Sequence, residues 1–198
     1  MSQRRDLERR RGGVLQSAKA GAVTLLSTVG VLTGIHIANI VLQGRLLLYG
    51  IVPQSIDGLV GIFASPFLHL TWEHLAFNSL SLLMLGPFAM LRRRSDFIRV
   101  WVIGSFVSGL GTWLIGSPNS VHIGASGVVF AYLGFLMARG IFERSVGAIV
   151  LSALVTWLFG GMLWGVLPTV GGNISWEAHL FGFVGGILAA RGTPRSAK

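Results

Sequence analysis

The chain has no cysteine, and charged residues make up only 12% of its 198 positions. Without cysteine, no disulfide framework can staple a small secreted fold, and no Cys/His cluster is available for a metal. A soluble domain carries roughly 25% charged residues, so a water-facing surface is excluded as well. Acidic side chains are the scarcest, 7 against 16 Lys and Arg, and no pair of aspartates lies within an apolar run to support an aspartyl mechanism. The P-loop and G-x-G-x-x-G are missing. His69-Leu70-Thr71-Trp72-Glu73-His74 has one residue too many for H-x-x-E-H, H-E-x-x-H does not occur, and Gly124-Ala125-Ser126-Gly127-Val128 lacks the last glycine of a G-x-S-x-G elbow. These absences leave neither a metal nor a cofactor implied.

What is present is apolar. Hydrophobic residues reach 52% and mean hydropathy is +0.69. The 28 glycines and 6 tryptophans suit closely packed membrane helices with aromatic residues at the interfaces. A crossing helix needs about 20 mostly apolar residues, and six runs qualify or nearly do: 19–43, 66–91, 97–115, 124–138, 146–167 and 177–190. The fourth and sixth are short. Each follows a polar, glycine-rich stretch, 116–123 and 168–176, that is expected to dip into the membrane. The first run is too long for a signal-peptide core and has no A-x-A site after it. The expected fold is therefore an all-α membrane protein, a six-helix bundle spanning 19–190, with a basic N-terminal arm at 1–18 and a short basic tail at 191–198.

Charge sets the expected orientation. With the N-terminus in the cytoplasm, every Lys and Arg except Arg45 falls on the cytoplasmic side, and Asp57, Glu73 and Glu177 fall outside. Both termini are then cytoplasmic, as the positive-inside rule requires. The same bookkeeping accounts for the net charge of +9 without nucleic acid, for which no reading module is present. The lipid bilayer is the expected partner and a bacterial plasma membrane the expected location. The mixed segment 44–65 is read as a loop resting partly in the outer interface. Small-residue helix faces serve internal packing and dimer contacts alike, so they select no oligomeric state.

Polar side chains at membrane depth are costly and point to function. They are His36 and Asn39 in the first run, His69, Glu73, His74 and Asn78 in the second, Ser126 in the fourth and His179 in the sixth. Counted from Pro66 at 1.5 Å per residue, His74 lies on the order of 12 Å in. Asn78 is one turn further along the same face. Ser126 and His179 fall in the first turns of their helices and enter from the same side, so the four residues can converge in one cavity open to the outside. Glycines beside Ser126 let a substrate approach its hydroxyl. His179 has the chemistry to take the hydroxyl proton, and His74, Asn78 and the Ser126 amide can donate to an oxyanion. His36 and Asn39 read as structural, and His122 as shaping its loop.

Over nearly its whole length the chain resembles the rhomboid intramembrane serine proteases. His69-Leu-Thr-Trp-Glu-His74-Leu-Ala-Phe-Asn78 resembles the family's H-x4-H-x3-N, Gly124-Ala125-Ser126-Gly127 its G-x-S-G, and Ala178-His179-Leu-Phe-Gly182-Phe-Val-Gly-Gly186 its A-H-x2-G-x3-G. The resemblance implies a serine endopeptidase that cuts transmembrane helices of other proteins near the outer surface without a cofactor. It implies Ser126 as nucleophile, His179 as base, His74 and Asn78 as oxyanion donors and His69 as structural. Gly182 and Gly186 would draw the sixth helix against the fourth. Two departures stand out. The Trp-Arg pair of many members is replaced by Gly58-Leu59-Val60-Gly61-Ile62, and a usual Tyr by Phe130, whose ring could still pack on His179. Non-catalytic relatives that bind membrane helices generally lack the serine or the histidine, and this chain keeps both. A transporter would show paired broken helices at the midplane.

Overall fold

The computed structural model describes residues 2–168 and 174–192. Among these residues, seven α-helices run in order: α1 (Ser2–Val41), α2 (Gly61–Ala64), α3 (Trp72–Met90), α4 (Arg94–Ile115), α5 (Ser126–Glu143), α6 (Val146–Phe159) and α7 (Trp176–Arg191). Single-turn 3₁₀ segments occupy the α1–α3 connection, and a longer one, Gly160–Val166, extends α6. Among the described residues the one extended pairing is the antiparallel bridge between Ile51 and His122. The all-helical expectation holds.

Among the described residues, four helical stretches are long and apolar enough to cross a membrane: Leu15–Val41, Arg94–Ile115, Ser126–Glu143 and Val146–Val166. The chain is thus an integral membrane protein. The other two expected spans are α3 and α7. Helix α3 carries Glu73, His74, Asn78, Ser79 and Ser81 in its first half, and α7 has 16 residues, about 24 Å of helix. Polar content and shortness, respectively, keep them below the threshold that the others pass.

Boundaries moved where capping chemistry overrides hydropathy. The second span was expected to begin at Pro66, but α3 starts at Trp72 because the Thr71 side chain accepts the His74 N–H as N-cap. His74 therefore stands in the first helical turn, and the 12 Å count from Pro66 does not apply. Helix α5 runs on to Glu143, past the expected end at Ala138, until Arg144 adopts a left-handed φ of 53°. The segment 44–65 is ordered by 3₁₀ turns, with the apolar side chains of Leu48, Ile56 and Phe63 exposed. Of the expected dip at 168–176, residues 169–173 lie outside the described residues, as do 193–198 of the tail.

Helix α5 is the centre of the bundle. Buried positions make up 78% of its apolar window, against 17% for those of α1 and α6. Val128, Tyr132, Leu133, Phe135 and Leu136 pack with Phe97 and Val100 of α4, Leu82 and Leu85 of α3 and Ala189 and Ala190 of α7. The Tyr132 hydroxyl donates to the Phe97 carbonyl at 2.8 Å. Lipid supplies no hydrophobic drive between helices, so close backbone approach must. A Cβ on Gly182 would strike the Gly127 carbonyl, one on Gly186 the Ala131 carbonyl, and one on Gly134 that of Phe183. At the far end from Ser126, Arg139 pairs with Glu143 at 2.6 Å and Arg92 with the same carboxylate at 3.3 Å.

Candidate active site

Three helices begin at one place. His74 is the third residue of α3, Ser126 the first of α5 and His179 the fourth of α7. A sequence signal for two of these starts went unread: Thr71-Trp72-Glu73 and Ser175-Trp176-Glu177 are the same Ser/Thr-Trp-Glu pattern. In both, the cap hydroxyl accepts the N–H three residues on, from His74 at 3.2 Å and from Ala178 at 3.3 Å, and the glutamate lies near the positive end of the helix dipole.

Gly124 holds α5 against α3. Its φ is +113°, and a Cβ there would lie 2.5 Å from His74 Nε2 and 3.6 Å from Asn78 Nδ2. Glycine is required on both counts. The Gly124 N–H donates to the Ser65 carbonyl at 2.9 Å, and Ser126 follows two residues later. The Asn78 amide is buried, and its Nδ2 has no hydrogen-bond partner among the described residues. A buried donor left idle beside the start of α5 is suited to an acceptor that arrives with a ligand.

His179 reaches the same spot through the Gly182–Gly127 contact, one turn along α7. Its ring lies flat on Phe130, with centroids 4.1 Å apart and planes 12° apart. Its Nδ1 is 2.9 Å from the Gly165 carbonyl. No hydrogen bond joins Ser126 Oγ to His179 among the described residues. Such bonds are often loose before substrate binds. The structure thus brings His74, Asn78, the α5 start and His179 together. Two surface depressions, one of about 580 Å³ lined by Thr24, Arg94, Ser95, Ile98, Arg99, Val102 and Ile103 and one at Val41–Gln43 and Arg45, lie away from them.

The remaining polar residues support this arrangement. The Ala125 N–H points to His69 Nε2 at 3.5 Å, and the His69 and His74 rings meet edge-on at 5.1 Å. His36 of α1 donates from Nδ1 to the His69 carbonyl at 3.0 Å, and Asn39 accepts the Leu46 N–H at 3.1 Å. His122 does more than shape its own loop. Its backbone pairs with Ile51, its Nε2 is 2.7 Å from Ser120 Oγ and its Nδ1 is 2.8 Å from Ser175 Oγ, the cap of α7. The Ser175 hydroxyl in turn donates to Glu177 at 3.2 Å. Burial holds the His122 imidazole below its ordinary pKa, and Glu177 offsets part of that shift. The His36–His69, His69–Ala125 and His122–Ser175 pairings could not be foreseen, because each joins residues from separate elements.

Comparison with known proteins follows the same lines. The family model described as "Rhomboid domain" matches residues 57–195. An uncharacterized protein of Mycobacterium tuberculosis is 40% identical over 177 residues, covering 86% of this chain and 74% of its own. An uncharacterized protein of Mycobacterium leprae is 37% identical over 181 residues, covering 86% and 70%. The protein YdcA of Bacillus subtilis is 29% identical over 123 residues, covering 61% and 60%, and its name places it provisionally among the rhomboid proteases.

Proposed function

The chain belongs to the rhomboid family, and on that premise we propose that it is an intramembrane serine protease that hydrolyses peptide bonds in or near the transmembrane helices of other membrane proteins. The observation that carries this reading is the meeting of three helix starts. Gly124 is pressed on His74 and Asn78, and Gly127 is pressed on Gly182 one turn from His179. Ser126 stands between those two glycines.

In this mechanism a substrate helix enters from the lipid and unwinds locally, exposing a carbonyl to Ser126. The Ser126 Oγ attacks the carbonyl carbon as His179 Nε2 takes its proton. The oxyanion receives hydrogen bonds from Asn78 Nδ2, His74 and the free N–H groups of the first turn of α5. Collapse of the tetrahedral species breaks the C–N bond, and His179 returns the proton to the leaving amine. Water then attacks the acyl-enzyme by the same route and frees Ser126. The protein needs six crossings, with α3 and α7 as the second and sixth, both termini cytoplasmic and the site near the outer face. That orientation follows the basic residues and lets water in.

The test needs no known substrate. Purified protein in mild detergent is reacted with a fluorescent fluorophosphonate, beside Ser126→Ala and His179→Ala. Labelling of the wild type, lost in both variants, is expected. Labelling of Ser126→Ala at the wild-type level would overturn the assignment, and so would cleavage of a helical substrate by that variant in liposomes.

A further inference from the structure

A serine–histidine pair needs something to orient the imidazole. In a triad a carboxylate does so, fixing the tautomer as well as the direction of the ring. Here the acidic side chain nearest in sequence, Glu177, accepts from Ser175 instead. Two other contacts hold the ring. Stacking on Phe130 at 12° fixes its plane, leaving rotation within the plane. The 2.9 Å contact from Nδ1 to the Gly165 carbonyl stops that rotation.

We infer that the Gly165 carbonyl is the third member of this site, a positioning group that holds His179 with its proton on Nδ1 and its lone pair on Nε2. A carbonyl can only accept, so the nitrogen facing it must donate. In a neutral ring the other nitrogen is then the base. The carbonyl is available because Gly165 is next to last in the 3₁₀ segment Gly160–Val166, where carbonyls lack an intrahelical partner. Glycine is needed for the approach: a Cβ at 165 would sit 2.9 Å from Phe130 Cζ and 3.2 Å from His179 Nδ1. Gly165, Phe130 and His179 form one unit drawn from three elements. A neutral carbonyl orients the ring but brings no full negative charge to stabilise the imidazolium, so this unit directs more than it activates.

The inference rests on the reading of His179 as the base, and its test separates the two. Protein labelled with ¹⁵N-histidine is observed by NMR in the neutral form, and the His179 signals are identified by their loss in His179→Ala. A protonated Nδ1 and an unprotonated Nε2 are expected; a protonated Nε2 overturns the inference, whatever the activity. Gly165→Ala should lower the rate of fluorophosphonate labelling about 10²-fold, the scale of a 1 Å misplacement, and erase the tautomer preference. Phe130→Leu should keep the Nδ1 proton, since it leaves the carbonyl in place. Should Gly165→Ala fail to fold, the wild-type spectrum decides. Labelling with an Nε2–H ring would sink the positioning role alone. An Nδ1–H ring with no labelling would sink the protease reading alone.

Discussion

Replacing Gly182 by alanine tests the packing that brings base and nucleophile together. The added Cβ would lie 2.8 Å from the Gly127 carbonyl carbon and 3.1 Å from Gly127 Cα, where ordinary contact begins at 3.4 Å. Both atoms belong to backbone at the start of α5, which cannot rotate away. The Gly127 carbonyl oxygen is nearer still, so helix α7 has to move outward by more than about 0.6 Å, because a close-packed interior does not absorb an extra methyl. His179 lies one turn before Gly182 and Ser126 directly before Gly127, so the shift enters the Ser126–His179 distance almost undiminished. The expected cost is roughly 1–3 kcal/mol of stability and about 10- to 100-fold in reactivity. The assay is the second-order rate of fluorophosphonate labelling, measured with thermal unfolding in the same detergent. Gly147→Ala is the control: that glycine is also helical, on α6, but a Cβ there meets nothing within 4 Å. Wild-type labelling by folded Gly182→Ala would refute the reasoning, as would an equal loss in Gly147→Ala.

Asn78→Ala should slow labelling on the order of 10²–10³-fold with little change in melting temperature, because the amide nitrogen has no partner to lose among the described residues; a large drop in stability at full reactivity would reverse its role. Burial holds His122 below the ordinary histidine value of 6.5, so its contribution to stability is full above about pH 6.5 and falls as the pH drops toward the lower folded-state value, because the unfolded chain takes up the proton first. Melting temperature should therefore decline from about pH 8 to about pH 5 more steeply in the wild type than in His122→Gln; parallel profiles would contradict this. Glu143→Gln removes the carboxylate that faces both Arg139 and Arg92 and leaves the Arg139 guanidinium buried without its counter-charge, a change worth about 3–5 kcal/mol. Unfolding should show that loss, while the labelling rate of the folded fraction, on the opposite side of the bundle, should stay unchanged.

The helices were legible because hydropathy and caps are local. Six apolar runs foretell α1 and α3 to α7, and the errors fall at ends where one residue's capping bond decides, as Thr71 does for α3. The Ser/Thr-Trp-Glu pattern at 71–73 and 175–177 would have placed both starts correctly, since a hydroxyl followed by an acid marks a first turn. The candidate site was legible as residue types, because a serine between glycines and histidines in apolar runs are costly exceptions to their surroundings. What orients those residues was not. The Gly165 carbonyl is a backbone group present at every position, so no letter announces it. The His36–His69, His122–Ser175 and His69–Ala125 pairs span 33 to 56 residues and exist only once the bundle has closed.

The missing tyrosine hydroxyl at Phe130 bears on which of these features matter. A ring 4.1 Å from His179 and nearly parallel to it acts through its face, and phenylalanine offers the same face as tyrosine. Nothing in that geometry asks for an oxygen, because the polar demand of the imidazole is met at Nδ1 by Gly165. Phe130→Tyr should therefore leave the labelling rate within about twofold, since an exchange that preserves the stacking face preserves the ring plane. Phe130→Leu, which removes the face, should lose far more. A Phe130→Tyr variant much faster than wild type would mean that a hydroxyl supplies something Gly165 does not, and the carbonyl would then be only part of what directs the base.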